Sequence, residues 1–303
     1  MSPPPLTERL ARIERESGCE LGIHVLDLKT GEETALNADA IYPMASTFKV
    51  PILVTAFQQI AAGRLRLDDR RSLLDGDKSR GSGILPFFEA GLNPSLQDLL
   101  TLMIIISDNT ATDMVIELLG GPAAIESAMH ALSVEPLSFR YNCRDLIRRL
   151  FPPGDHSDEE LTELAREMPY PADSLPAARD ETNNTASPRA MTTLLHKMFA
   201  QEATDAAGWD AMVEILLQQQ LKQRLGRYLP PEVQVATKTG TILSTANDCG
   251  FFFLPNGAQI ALTCYALWDA APAWNDARAT WAGMHHVEST IGEVGWAVCE
   301  HYG

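Results

Sequence analysis

The sequence predicts an α+β fold in which an antiparallel sheet, flanked by terminal helices, is interrupted by a long inserted all-α lobe. Three observations carry this: strand-like segments occur only toward the two ends, the middle has helical periodicity, and no repeat or low-complexity linker divides the chain. On that pattern residues 1–40 and 226–303 form one discontinuous α/β lobe, and residues 41–225 form the helical lobe. With 303 residues the chain can bury a substantial core and leave a cleft between the lobes.

The elements follow in order. Leu6, Leu10 and Ile13 share one face of an opening helix, and Gly18 stops it. Leu21 to Leu28 alternates as a strand, Thr30-Gly31 turns, and Glu32 to Leu36 returns as a second strand. From Ser46 a nearly all-round apolar helix runs to Gly63, with Pro51 tolerated near its first turn, which predicts a central and buried position. Further helices are expected at Ser95 to Ile106, Thr110 to Leu119, Pro122 to Leu132, Asp158 to Met168 and Pro188 to Ala200. Phe151 to Asp155 and Met168 to Ala177 read as loop. Strand signals return at Val233 to Thr237, Cys249 to Leu254 and Gln259 to Leu267, the last two joined through Asn256-Gly257. A closing helix is expected over Ala273 to His301, interrupted around Gly283 and from Gly292 to Gly295.

Composition narrows the function. Apolar residues make up 45% and charged residues 21%, as in a folded globular protein. A net charge of −16, from 40 acidic against 24 basic residues, repels a polyanion and excludes nucleic acid as a partner. No apolar run approaches the roughly 20 residues of a membrane helix. The start, MSPPPLTERLARIERESG, lacks the apolar core of a secretory signal, so the chain as written reads as cytoplasmic; a trimmed mature form would be periplasmic or secreted. The five cysteines are scattered and odd in number, which predicts reduced thiols. If Asn256 and Gly257 are the two turn residues, Cys249 and Cys264 lie opposite each other, as two buried thiols or as a reducible pair. The seven histidines lack ligand spacing and no glycine-rich phosphate loop occurs, so neither metal nor cofactor is implied. A monomer acting on a small molecule is expected.

The chemistry lies in three short motifs. A hydroxyl is a weak nucleophile until a base takes its proton. Ser46 and Lys49 in Ser46-Thr47-Phe48-Lys49 stand one helical turn apart, so both can enter the cleft, and a desolvated, cation-rich site lowers a lysine pKa enough for it to act as that base. The helix N-terminus turns backbone N–H groups toward a developing oxyanion. Ser107-Asp108-Asn109 supplies a hydroxyl that can pass a proton to a leaving amine and an amide that can bond lysine and substrate; an ordinary helix cap is the alternative. Lys238-Thr239-Gly240 ends the Val233 to Thr237 strand, where lysine and threonine can hold a carboxylate and glycine lets a substrate lie against the strand; a strand-end turn is the alternative.

Taken together and in this order, the three motifs resemble those of class A β-lactamases and penicillin-binding proteins. The 61 residues from Ser46 to Ser107, the segment GGPAAIESAM and the approach LGRYLPPEVQVATKTG are also similar to that family, and the likeness spans most of the chain. It implies a β-lactamase/transpeptidase-like fold, an acyl-enzyme on Ser46, Lys49 and Ser107 in proton transfer, and an oxyanion hole from the backbone N–H groups of Ser46 and Thr241. Asn109, Lys238, Thr239, Gly240 and Thr241 would bind substrate. Arg224, 14 residues before Lys238, would assist carboxylate binding; a solvated surface arginine is the alternative.

One part of the pattern is missing. Class A enzymes activate the deacylating water with a glutamate in an Ω-loop, in a segment resembling Glu-x-x-x-Asn, and residues 137–187 contain no such segment. The loop is long and rebuilt, and Glu167, with Glu163 a helical turn before it, is the nearest acidic candidate; both also fit a solvated helix face. Three functions stay open: β-lactam hydrolysis, hydrolysis or transfer of another ester, amide or peptide acyl group (a slow-turnover penicillin-binding protein included), and a catalytically idle binding protein that kept the pocket.

Overall fold

A computed structural model describes residues 4–154, 156, 160–161, 163–164, 174–269 and 276–303. Helix α1 (Leu6–Ser17) leads into strands β1 (Glu20–Asp27) and β2 (Glu33–Leu36). The end of the chain adds β6 (Gln234–Ile242), β7 (Thr245–Phe253), β8 (Gln259–Leu267) and the closing helix α9 (Ala277–Tyr302). These strands form one antiparallel sheet in the order β2-β1-β8-β7-β6, so the two chain ends meet where β1 pairs with β8. The open, antiparallel α+β arrangement expected from the sequence is present.

The segment between holds the helices: α2 (Lys49–Ala61), α3 (Leu96–Ile105), α4 (Asn109–Leu118), α5 (Pro122–Ala131), α6 (Cys143–Arg148), α7 (Pro188–Phe199) and α8 (Ala206–Leu217). It also carries a small sheet of β3 (Tyr42–Pro43), β5 (Thr185–Ala186) and β4 (Leu137–Ser138), in that order. Pairing of Leu137 with Ala186 and of Ser138 with Thr185 brings the two ends of the long 137–187 segment together. The expected helix at Asp158 to Met168 falls mostly outside the described residues.

Two apolar cores explain why these layers hold. One face of the sheet packs Ile23, Phe252 and Leu262 against Leu10 of α1 and Ile291 of α9. The other turns Ala236, Phe251 and Tyr265 toward the helices, where every residue from Lys49 to Phe57 of α2 is buried. An element buried on all sides needs no polar face, and α2 has the all-round apolar composition that predicts this. Its one charged residue in that run, Lys49, is therefore conspicuous.

Several expectations are corrected. Phe253 pairs with Gln259, and Leu254 N–H donates to Ala258 at 3.0 Å, so the hairpin loop has three residues and Gly257, at φ 87°, closes it. The register moves by one: Cys249 pairs with Thr263 and Cys264 with Asp248. Alternation then places Cys249 in the core under the helices and Cys264 in the other, so the two thiols are not a reducible pair. Lys238-Thr239-Gly240 lies in the middle of β6 and not at a strand end, because β7 pairs with it as far as Ile242. Helix α9 is continuous through its glycines, which serve close packing: a Cβ at Gly295 would sit 2.0 Å from the Leu225 carbonyl oxygen, and one at Gly283 2.4 Å from the Trp268 ring. Helix α8 was not expected; its first turn holds Gly208, and the signal that was available is Asp205, whose carboxylate caps the Gly208 N–H at 2.8 Å. Among the described residues no helix is long and apolar enough to cross a membrane.

Candidate active site

Strand β6 is the sheet's edge, and the tight turn Ala45–Phe48 that carries Ser46 lies against it. A Cβ on Gly240 would stand 2.8 Å from the backbone nitrogens of both Ser46 and Thr47, so only glycine lets strand and turn approach this closely. The turn is fixed from the sheet as well. Asn247 of β7, fully buried, donates through Nδ2 to the carbonyls of Pro43 at 2.8 Å and Met44 at 3.0 Å, and accepts from Ala266 N–H at 3.3 Å. The Thr47 hydroxyl adds a bond to the Met44 carbonyl at 2.7 Å. Ser46 itself is half-buried, and among the described residues its hydroxyl has no hydrogen-bond partner.

Lys49 points into the space between α2 and the α3–α4 junction. Its Nζ donates to the Ser107 carbonyl at 2.7 Å, the Ser107 hydroxyl at 2.9 Å and Asn109 Oδ1 at 2.9 Å. Lys238 reaches the same hydroxyl at 3.1 Å and the Thr239 carbonyl at 2.6 Å. Both amines are wholly buried, and desolvation lowers the pKa of each, Lys238 strongly, with the nearby Lys49 charge adding to its shift. One hydroxyl oxygen thus accepts from two amines whose charged forms are disfavoured, and its own proton is left for a third partner.

The motif around Ser107 is held by Asp108, which is the N-cap of α4. Its Oδ1 accepts from Ala111 N–H at 2.9 Å, and Oδ2 from Ile84 and Leu85 N–H at 2.7 and 2.9 Å. The cap expected as the alternative to a site is therefore real, and it coexists with one: Ser107 takes the left-handed conformation at φ 59°, which costs an ordinary residue about 1–2 kcal/mol, and the cap holds it there. Asn109 Nδ2 donates to the Arg80 carbonyl at 2.8 Å, leaving one N–H of its amide for a ligand.

Arg224 is not a solvated surface residue. Its guanidinium is buried and donates to the carbonyls of Gly240 at 2.6 Å and Asn247 at 2.7 Å, and to the Thr241 hydroxyl at 2.5 Å, with Glu288 at 3.5 Å. It can reach a ligand only through the exposed Thr241 and through its charge.

A cavity of about 290 Å³ opens at Ser46 and is lined by two unlike sets of residues. Ser46, Ser82, Ser107, Asn109, Thr239 and Thr241 are its polar lining. Leu146, Ile147 and Leu150 from the long loop, with Leu221 and Ile242, are its apolar lining. Cys143 of the same segment also lines the cavity, and its thiol is pushed well above its usual pKa by burial, with the Asp113 charge adding to the shift. No carboxylate lines this cavity among the described residues. Glu163 is exposed and not part of the lining, and Glu167 lies outside the described residues.

The motif residues Ser46, Lys49, Ser107, Asn109, Lys238, Thr239, Gly240 and Thr241 are thus gathered at one cleft. Sequence reasoning missed Asn247, Asp113 and the apolar residues of α6. A signal existed for the first: Asn247-Asp248 interrupts a β7 sequence that is otherwise small or apolar, and a buried amide in a strand asks for a reason.

Comparison with known proteins agrees with this geometry. A family model described as the beta-lactamase enzyme family matches residues 5–302. A beta-lactamase of Streptomyces albus G is 27% identical over 264 residues, covering 84% of this chain and 74% of the relative. The carbapenem-hydrolyzing beta-lactamase KPC of Klebsiella oxytoca is 26% identical over 269 residues, covering 86% of this chain and 80% of the relative. The crystal structure of a beta-lactamase from Sphaerobacter thermophilus superposes with a TM-score of 0.77 at 26% identity, covering 98% of this chain and 96% of the other.

Proposed function

Since the chain belongs to the beta-lactamase enzyme family, we propose that it is a serine hydrolase that forms its acyl-enzyme on Ser46 and that β-lactams are its substrates. The observation that carries this is the Ser107 hydroxyl held between two buried amines, Lys49 at 2.9 Å and Lys238 at 3.1 Å, in the cavity that Ser46 enters. Neutral Lys49 takes the Ser46 proton as the oxygen attacks the carbonyl carbon. The backbone N–H groups of Ser46 and Thr241 receive the oxyanion. Ser107 passes its proton to the leaving nitrogen and regains one from the lysine pair. Lys238 and Thr239 hold the substrate carboxylate, with Arg224 orienting the Thr241 hydroxyl beside it, and Asn109 offers its remaining amide N–H to a substrate carbonyl.

The apolar loop side favours a second reading for the later step. No carboxylate lines the cavity among the described residues, and on this reading water is poorly activated, so acylation outpaces deacylation and the protein behaves as a slow-turnover penicillin-binding protein or acts on another acyl group. Mixing the protein with a chromogenic cephalosporin while following intact mass tests both. Steady turnover supports hydrolysis of β-lactams; a persistent adduct on Ser46 supports the second reading; no adduct and no turnover, with Ser46→Ala equal to the parent on an ester panel, would refute a Ser46 acyl-enzyme. Glu167→Gln is expected to slow deacylation alone if that residue supplies the missing base, and an unchanged rate excludes it.

A further inference from the structure

The apolar half of the cavity has a use that the motifs do not supply. Helix α6 begins at Cys143, where Asn142 caps the Asp145 N–H at 2.8 Å. Its backbone is pinned to α4 by Asp113, whose two oxygens accept from Cys143 N–H at 2.7 Å and Arg144 N–H at 3.0 Å. That anchoring aims Leu146 and Ile147 into the cavity with Leu150 just beyond them, while Leu221 and Ile242 also line it. Ser46, where an acyl carbon would be attached, lines the same cavity.

We propose that this surface is the acyl-group subsite and that it selects substrates whose acyl portion is an apolar hydrocarbon chain over those carrying a charged or strongly polar group. The inference rests on the Ser46 acyl-enzyme reading. The physical ground is transfer of the chain from water to an apolar surface: each buried methylene raises the rate of acylation about fourfold, until the 290 Å³ cavity is filled. A charged acyl group would lose its hydration there, because no counter-charge lines that half of the cavity among the described residues.

The test uses the full chain and p-nitrophenyl acetate, butyrate, hexanoate and succinate, reading acylation kcat/KM and confirming the adduct on Ser46 by peptide mass. The expected order is hexanoate over butyrate over acetate, with roughly tenfold or more between successive even-chain esters, and succinate below butyrate. Ile147→Ser and Leu221→Ser should each shrink the hexanoate-to-acetate ratio, and a melting curve separates that from misfolding. A flat series with Ser46 acylated would overturn the subsite and leave the acyl-enzyme standing, as would a ratio that neither substitution moves. Absence of acylation by every ester and by penicillin would overturn the acyl-enzyme and this inference together.

Discussion

The two walls of the cleft teach different lessons about how a site is built. The motif wall concentrates polar atoms where water is excluded: two lysine amines, a serine hydroxyl and an amide, each held by hydrogen bonds of 3.1 Å or less. The loop wall offers Leu146, Ile147 and Leu150 and makes no directional contact that a ligand would share. Polar groups in a dry site must be satisfied one by one, which fixes residue types and positions. An apolar surface needs only approximate volume, so its sequence can drift. On the proposed reading the first wall supplies the reaction and the second selects the acyl group.

The largest expected effect probes the motif wall. Lys49→Ala should lower the acylation rate by about 10²–10⁴-fold, the range of a positioned general base, measured as adduct formation with penicillin by intact mass. Normal acylation by this variant would remove the assignment of the base. The parent also carries a pH signature. Burial lowers the Lys49 pKa, and the amine must be neutral to act, so acylation should rise with pH and level off below the ~10.4 of a free lysine. A rising limb centred at the free-lysine value would show that the amine is solvated during the reaction.

Next in size is the clamp beneath the nucleophile. Asn247→Ala removes two hydrogen bonds to the carbonyls before Ser46, of which the Met44 carbonyl keeps its bonds from the Thr47 hydroxyl and N–H, and should destabilise the fold by about 1–3 kcal/mol. A displaced nucleophile should also cost up to about a hundredfold in acylation. The signature is a fall in kcat with little change in KM; loss of stability alone, with kcat retained, would make Asn247 purely structural.

The same contrast explains what could be read in the sequence. The Ser46, Ser107 and Lys238 motifs are short, polar and ordered along the chain, and the structure gathers them because edge strand β6, the Ser46 turn and the α3–α4 junction converge. Even so, Lys238 looked like a strand end, since nothing local reveals that β7 extends the pairing to Ile242. The hairpin was legible from Asn256-Gly257, but its register depended on whether the loop held two residues or three, and one residue decided which face each cysteine took. The glycines of α9 looked like breaks because the neighbours that need their missing side chains, Leu225 and Trp268, are distant in sequence. Helix α6 is six residues long and is anchored to α4 by Asp113, a residue 30 positions before Cys143, so its part in the cavity could not be seen in local pattern.

Asp113 is the joint between the walls and gives the smallest and most discriminating effect. It stands one turn beyond Asn109 on α4, and desolvation raises its pKa above the usual carboxylate value. Its charge favours the protonated form of Lys49, opposing the burial that lowers that lysine's pKa. Asp113→Asn keeps an oxygen for Cys143 N–H but turns an amide donor toward the Ser79 hydroxyl and Arg144 N–H. Two outcomes follow, one for each wall. Losing the charge makes Lys49 easier to deprotonate, so the rising limb of the acylation profile should move to lower pH with the plateau rate nearly unchanged. Loosening α6 should weaken the preference for longer acyl chains, read as a smaller hexanoate-to-acetate ratio. A shifted profile with an intact ratio would mean that the walls share charge but not position; an unshifted profile with a reduced ratio would confine Asp113 to holding the loop.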